Sequence, residues 1–225
     1  MSIDNSLDFF LEWLPHPGPR FEVLLPALDA IEEAISHQSD QGAVRARADL
    51  RKRGMPADEA SNHLAIVHHE SQQLLSRIFR CGFVVSLWSL FESSIKDLGA
   101  YVHTQKNLAF EFKVRRGTDI LTASDEFFRS ALNVVPFPNE HDRKQLDVLR
   151  RFRNGLAHGD GSFADVPGEL AENGSVHGFC LIGHSHEFAV PSAAYVRSSL
   201  ELLGSVSQSL ADTVFASAKR ANGAA

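Results

Sequence analysis

Residues 64–102, LAIVHHESQQLLSRIFRCGFVVSLWSLFESSIKDLGAYV, decide the fold. Steps of three and four run through Leu64, Val67, Ser71, Leu74, Ile78, Cys81, Val85, Trp88, Glu92, Ile95, Gly99 and Val102. That mostly apolar seam is what one long helix presents to a core. Pro56 with Asp58 and Glu59 opens this helix, and Gly82 is the place where it is expected to bend. Glu92 is the one charge on the seam, so it needs a partner or a helix rotation that returns it to water.

Working outward, the prolines of WLPHPGPR (13–20) make an extended lead-in. From Arg20 the pattern Phe21, Leu24, Leu25, Leu28, Ile31, Ile35 predicts a helix to about His37. Residues 39–55 are polar, basic and glycine-containing, the composition of a loop or frayed connection. Past the long helix, Leu108, Phe110, Phe112 and Val114 alternate with Ala109, Glu111 and Lys113, which suits a short strand or an irregular packed loop. Thr118–Leu132 and Asn139 to about His158 read as helices, the second stopped by Gly159 and Gly161, with a turn over Val134–Pro138 between them. Val176–Ile182 and His186–Val190, separated by 183–185, read as a small hairpin. Ser192–Ala218 places Val196, Leu203, Val206, Leu210 and Val214 on one face of a last helix. The fold class is all-α, with a β-hairpin insertion before the C-terminal helix. Residues 1–55 form an N-terminal helix and basic connection, 56–218 the main helical domain packed with it, and 219–225 a disordered tail.

The chain has 225 residues, 44% hydrophobic and 22% charged, which excludes disordered, collagen-like and low-complexity classes. At this length roughly 70% of the unfolded surface can be buried, so no disulfide or structural metal is needed. Cys81 and Cys180 lie far apart in apolar segments, as reduced buried thiols do. The longest mostly apolar run, Cys81–Phe91, is shorter than the roughly 20 residues of a membrane span. Asp4, Asp8 and Glu12 occupy the place of a signal peptide's basic start. A cytoplasmic protein without a membrane partner is expected.

The net charge is -6, against indiscriminate nucleic-acid coating. Two clusters run the other way: RARADLRKR (45–53) with a local net of +4, and DRKQLDVLRRFR (142–153) with +3. Each suits a phosphate backbone or a solvated surface.

On the helix ending at His158, Leu149, Phe152 and Leu156 make the apolar face, and Asp147, Arg151, Asn154 and His158 share another. An amide one turn before a histidine can hold one ring nitrogen and leave the other aimed outward for proton transfer. The bland reading is a polar helix face whose terminal histidine suits the helix dipole.

Arg153-Asn154-Gly155-Leu156-Ala157-His158 resembles the R-N-x-x-x-H signature of the HEPN superfamily, set here as LRRFRNGLAHG. VSLWSLFESSIKDL is similar to that family's long helix, with Glu92 at its acidic position. The hairpin and last helix resemble the tail of RiboL-PSP-HEPN-like members, so the resemblance spans about Ala57 to Ala218. It implies an all-helical HEPN-like bundle with long central helices, often dimeric. The implied activity is that of a metal-independent endoribonuclease of toxin–antitoxin, antiviral or RNA-processing systems, needing no cofactor. RNA is the implied partner, joined by a cognate antitoxin if the chain is a toxin.

Such cleavage needs a proton acceptor, a proton donor and positive charge on the phosphorane. The resemblance gives these roles to His158 as general acid or base, Arg153 as phosphate stabiliser and Asn154 as orienting group. Glu92 and Arg151 support them, and Arg143, Lys144 and Arg150 are candidate RNA contacts. Arg153 and His158 are five residues apart and point about 140° apart on a regular helix. A homodimer would bring two copies of the motif to one groove. The alternative function is a noncatalytic helical module that binds partners, nucleotides or RNA. A competing zinc reading uses His177, His184 and His186, but no cysteine or paired carboxylate accompanies them, and no metal is expected. There is no P-loop, no Gly-rich dinucleotide turn and no G-x-S-x-G elbow.

Overall fold

The computed structural model describes residues 17–158, 179–182 and 188–222. Its order is α1 (Gly18–Glu22), α2 (Leu24–Lys52), α3 (Ala57–Lys106), α4 (Ile120–Leu132), α5 (Glu140–His158), β1 (Phe179–Ile182), β2 (Phe188–Pro191) and α6 (Ala193–Asn222). Helix accounts for most of the described residues, so the all-α class is the class found. The two short segments pair antiparallel, Phe179 opposite Pro191 and Ile182 opposite Phe188. The connection expected at 183–185, residues 186–187 and the stretch 159–178 that includes Gly159 and Gly161 lie outside the described residues.

The chain divides into two compact units. One holds Met1–Val23, Ser86–Arg150 and Ser199–Ala225, the other Leu24–Val85 and Arg151–Ser198. Three of the four boundaries fall inside α3, α5 and α6, so each of these helices contributes to both units.

In the second unit, α2 and the start of α3 form an antiparallel helical hairpin. Arg80 grips Glu32 through two bonds, Nε to Oε1 at 2.7 Å and Nη2 to Oε2 at 2.5 Å. Nearer the turn, His68 lies 3.8 Å from Asp40, and Gly42 approaches Ser71. Gly54, at φ 70°, makes the turn, a left-handed conformation that glycine adopts without a side-chain clash. The loop expected over 39–55 is therefore a helix up to Lys52. The segment lacks apolar periodicity, but its Ala, Arg and Gln residues are good helix formers. Ser39 and Leu50 are its buried points.

α3 runs without interruption through Gly82, where an added Cβ would meet nothing within 4 Å. Its seam is only half core. Trp88, Ile95 and Val102 are buried, whereas Leu74 and Ile78 are each 58% exposed. No described element covers those two, so periodicity there marks an amphipathic face without a lid. α3 also contains an 18-residue window of mean hydropathy 1.5, 28% of it buried. It is thus long and apolar enough to cross a membrane by length and composition alone, a property shared by core helices. Arg80 within it is ion-paired to α2.

The first unit is built around aromatic packing. Phe91, Phe127 and Phe128 are buried, each fully buried side chain of this size being worth about 1.5–3 kcal/mol. The segment 108–114 is irregular, not a strand. Phe110 and Phe112, two residues apart, both turn onto Phe127, with centroids at 5.8 and 5.4 Å. The alternation therefore serves packing and not a ladder. Phe112 also lies against Gly99, where a Cβ would come within 2.6 Å of it, so only glycine permits this approach. Asp119 caps α4 by accepting from the N–H groups of Leu121 and Thr122. Burial pushes its carboxyl up, but those bonds, the Thr122 hydroxyl and the charge of Arg150 outweigh it and hold the group below its ordinary value. Val196, Leu203, Val206, Leu210 and Val214 of α6 are all buried. α6 continues to Asn222, so the tail expected from 219 begins as helix.

Candidate functional site

α5 starts where the Asn139 side chain accepts from the His141 N–H at 2.9 Å. Leu146, Leu149 and Phe152 are buried along it, and Phe152 meets Tyr195 edge-on at 5.4 Å. This packing fixes the helix rotation and, with it, the direction of the next residues. Arg153 and Asn154 are half-buried, while Ala157 and His158 are exposed at the helix end.

Arg153 Nη1 donates to Asn154 Oδ1 at 3.0 Å. The expected orienting group thus holds the arginine through its oxygen. Arg153 Nε is out of water and has no hydrogen-bond partner among the described residues. Such a donor costs about 1–3 kcal/mol until an acceptor arrives.

Glu92 is half-buried and accepts from Trp88 Nε1 at 2.8 Å. The partner that its seam position requires is therefore an indole one turn back. Glu92 belongs to the first unit, Arg151 and Arg153 to the second. Arg151 is exposed.

The three candidate RNA contacts all have carboxylate partners. Arg143 bonds Asp125 at 2.7 Å and lies over the Phe137 ring at 5.4 Å. Lys144 pairs with Glu140 at 3.0 Å. Arg150 pairs with Asp147 at 2.7 Å, which ties up one residue of the polar face read from the sequence. Three of the five cations of the +3 cluster are thus paired with carboxylates.

The histidines of the zinc alternative, His177, His184 and His186, lie outside the described residues. Cys81 is mostly buried, and burial raises its thiol to about 11, partly offset by the Arg77 charge. A thiol held protonated in this way is a poor nucleophile at neutral pH.

A cleft that the sequence did not announce lies in the first unit. It measures about 570 Å³ and is lined by His103, Phe110, Glu111, Lys113, Arg115 and Glu126, among others. His103 Nδ1 donates to the Phe110 carbonyl at 2.9 Å. The Lys113 hydrogen bond and charge lower the Glu111 carboxyl. The alternating segment 108–114 is its only trace in the sequence, and alternation says nothing of a concave wall. None of the R-N-x-x-x-H residues lines it. In comparisons with known proteins, the chain matches no family model, no curated protein and no solved structure.

Proposed function

We propose that this chain is a metal-independent endoribonuclease of HEPN type that works as a homodimer. The observation that carries the reading is Arg153, a guanidinium held by Asn154 through one nitrogen while its buried Nε–H lacks an acceptor among the described residues. A phosphate oxygen is the acceptor that a planar guanidinium fits best.

In the proposed reaction His158 takes or gives a proton. The ribose 2'-OH loses its proton and its oxygen bonds to the adjacent phosphorus. The bond from phosphorus to the 5'-oxygen breaks, and that oxygen takes a proton. The products are a 2',3'-cyclic phosphate and a 5'-hydroxyl. Arg153 stabilises the charge that builds on the phosphorane, Asn154 fixes Arg153, and Arg151 is a support residue.

One histidine serves one proton transfer at a time, and Arg153 and His158 diverge by about 140° on their helix. The second copy supplies the complementary groups. Support for a dimer comes from Leu74 and Ile78, one turn apart and exposed in the same unit as the motif. The paired strands before α6 agree with a HEPN-like tail. A place in toxin–antitoxin or antiviral defence, with a cognate antitoxin as partner, and a cytoplasmic location complete the proposal. Incubating the purified chain with mixed RNAs in EDTA, beside His158→Ala, tests it: cleavage by the wild type only is expected, and cleavage by both would remove His158 from the mechanism.

A further inference from the structure

The basic run 45–53, expected as a connection, forms the last turns of α2 and the turn after it. Arg45, Arg47, Arg51, Lys52 and Arg53 are all exposed. Arg45 donates only to Gln41, at 3.4 Å. The other four side chains have no ion pair or hydrogen bond among the described residues. This contrasts with Arg143, Lys144 and Arg150 of α5, each already on a carboxylate. Leu50 is the buried residue of the segment, and on a regular helix Arg47, Arg51, Lys52 and Arg45 spread over an arc that leaves it free to pack. Along the axis, Arg45 to Lys52 covers about 10 Å. A helix C-terminus favours cations in its last turn, which accounts for Arg51 and Lys52 but not for Arg45 and Arg47 farther back.

We infer that this end of α2, and not the cation row of α5, is the surface that holds the phosphate backbone of RNA. The inference rests on the ribonuclease reading for its choice of polyanion. Free cations release counterions when they meet phosphates, and that release drives sequence-independent binding. Cations already paired must first give up their carboxylates. The chain's overall charge of -6 then repels RNA elsewhere and confines it to this surface.

The test measures binding of a labelled 2'-O-methyl oligoribonucleotide, which cannot be cut by 2'-oxygen attack, over a range of salt. It uses the full chain, the triple variant Arg47→Gln, Arg51→Gln, Lys52→Gln, and the control Lys144→Gln. Glutamine is a good helix former, and circular dichroism checks that α2 persists. The triple variant is expected to bind about tenfold or more weakly. Its salt slope should become shallower by about 0.7 for each phosphate it no longer neutralises, while the control stays near wild type. Equal affinity and slope for wild type and triple variant would overturn the inference. So would a cluster that mediates binding to anionic lipid vesicles and not to the oligoribonucleotide. Cleavage of ordinary RNA is scored separately. Cluster-dependent binding without cleavage supports the surface and sinks the nuclease, whereas cleavage with cluster-independent binding sinks the surface alone.

Discussion

Arg153 is both held and incomplete, since Asn154 fixes one nitrogen while another has no acceptor among the described residues. Arg153→Lys keeps the charge but loses the planar fork, so kcat on RNA should fall about 10²-fold, as when one charge-stabilising donor is removed. His158→Ala should abolish cleavage yet melt within about 0.5 kcal/mol of wild type, because the side chain is exposed at a helix end. Kinetics and denaturant melts separate the two effects. Cys81 gives a pH prediction. Its thiol ionises near 9.0 when unprotected and near 11 in the fold. Its contribution to stability is therefore present below 9.0 and is lost as pH rises toward 11, and alkylation at pH 8 should be much slower than for an unfolded control. Fast alkylation of the native chain would mean that the thiol is accessible.

At the scale of elements, two glycines of α3 should behave oppositely. Gly82 has open space around its Cβ position, so Gly82→Ala should stabilise the helix by up to about 1 kcal/mol. Gly99→Ala places a Cβ within 2.6 Å of Phe112 and should destabilise by about 1–3 kcal/mol. Thermal melts of both variants give the comparison, and a neutral Gly99→Ala would mean that Phe112 yields easily. The elements legible in the sequence were those with an apolar helical period, whether it is buried throughout, as in α6, or only in part, as in α3. All five residues read for α6 are core, as are Leu149 and Phe152 of α5. The end of α2 was not legible, because a helix that buries little beyond Ser39 and Leu50 over its last turns prints no period. Leu74 and Ile78 show the converse, a period without burial. Asn154 and His158 were singled out by residue type and spacing at a helix end, and Arg153 only through the resemblance to the R-N-x-x-x-H signature. The Arg153–Asn154 bond and the carboxylate partners of Arg143, Lys144 and Arg150 depend on side-chain geometry that spacing does not encode.

For the whole molecule, the composite site proposed above requires two chains. Light scattering at micromolar concentration should give the mass of a dimer, and Leu74→Glu with Ile78→Glu should shift it to monomer and lower cleavage together. A fully active monomer would contradict the composite site. The most direct test of the central claim is mass spectrometry of a short oligoribonucleotide of defined sequence after incubation with the chain in EDTA. Attack by the 2'-oxygen under Arg153 and His158 predicts fragments ending in a 2',3'-cyclic phosphate and beginning with a 5'-hydroxyl, absent with His158→Ala. An intact oligonucleotide, a strict need for divalent metal, or fragments with a 5'-phosphate would contradict it.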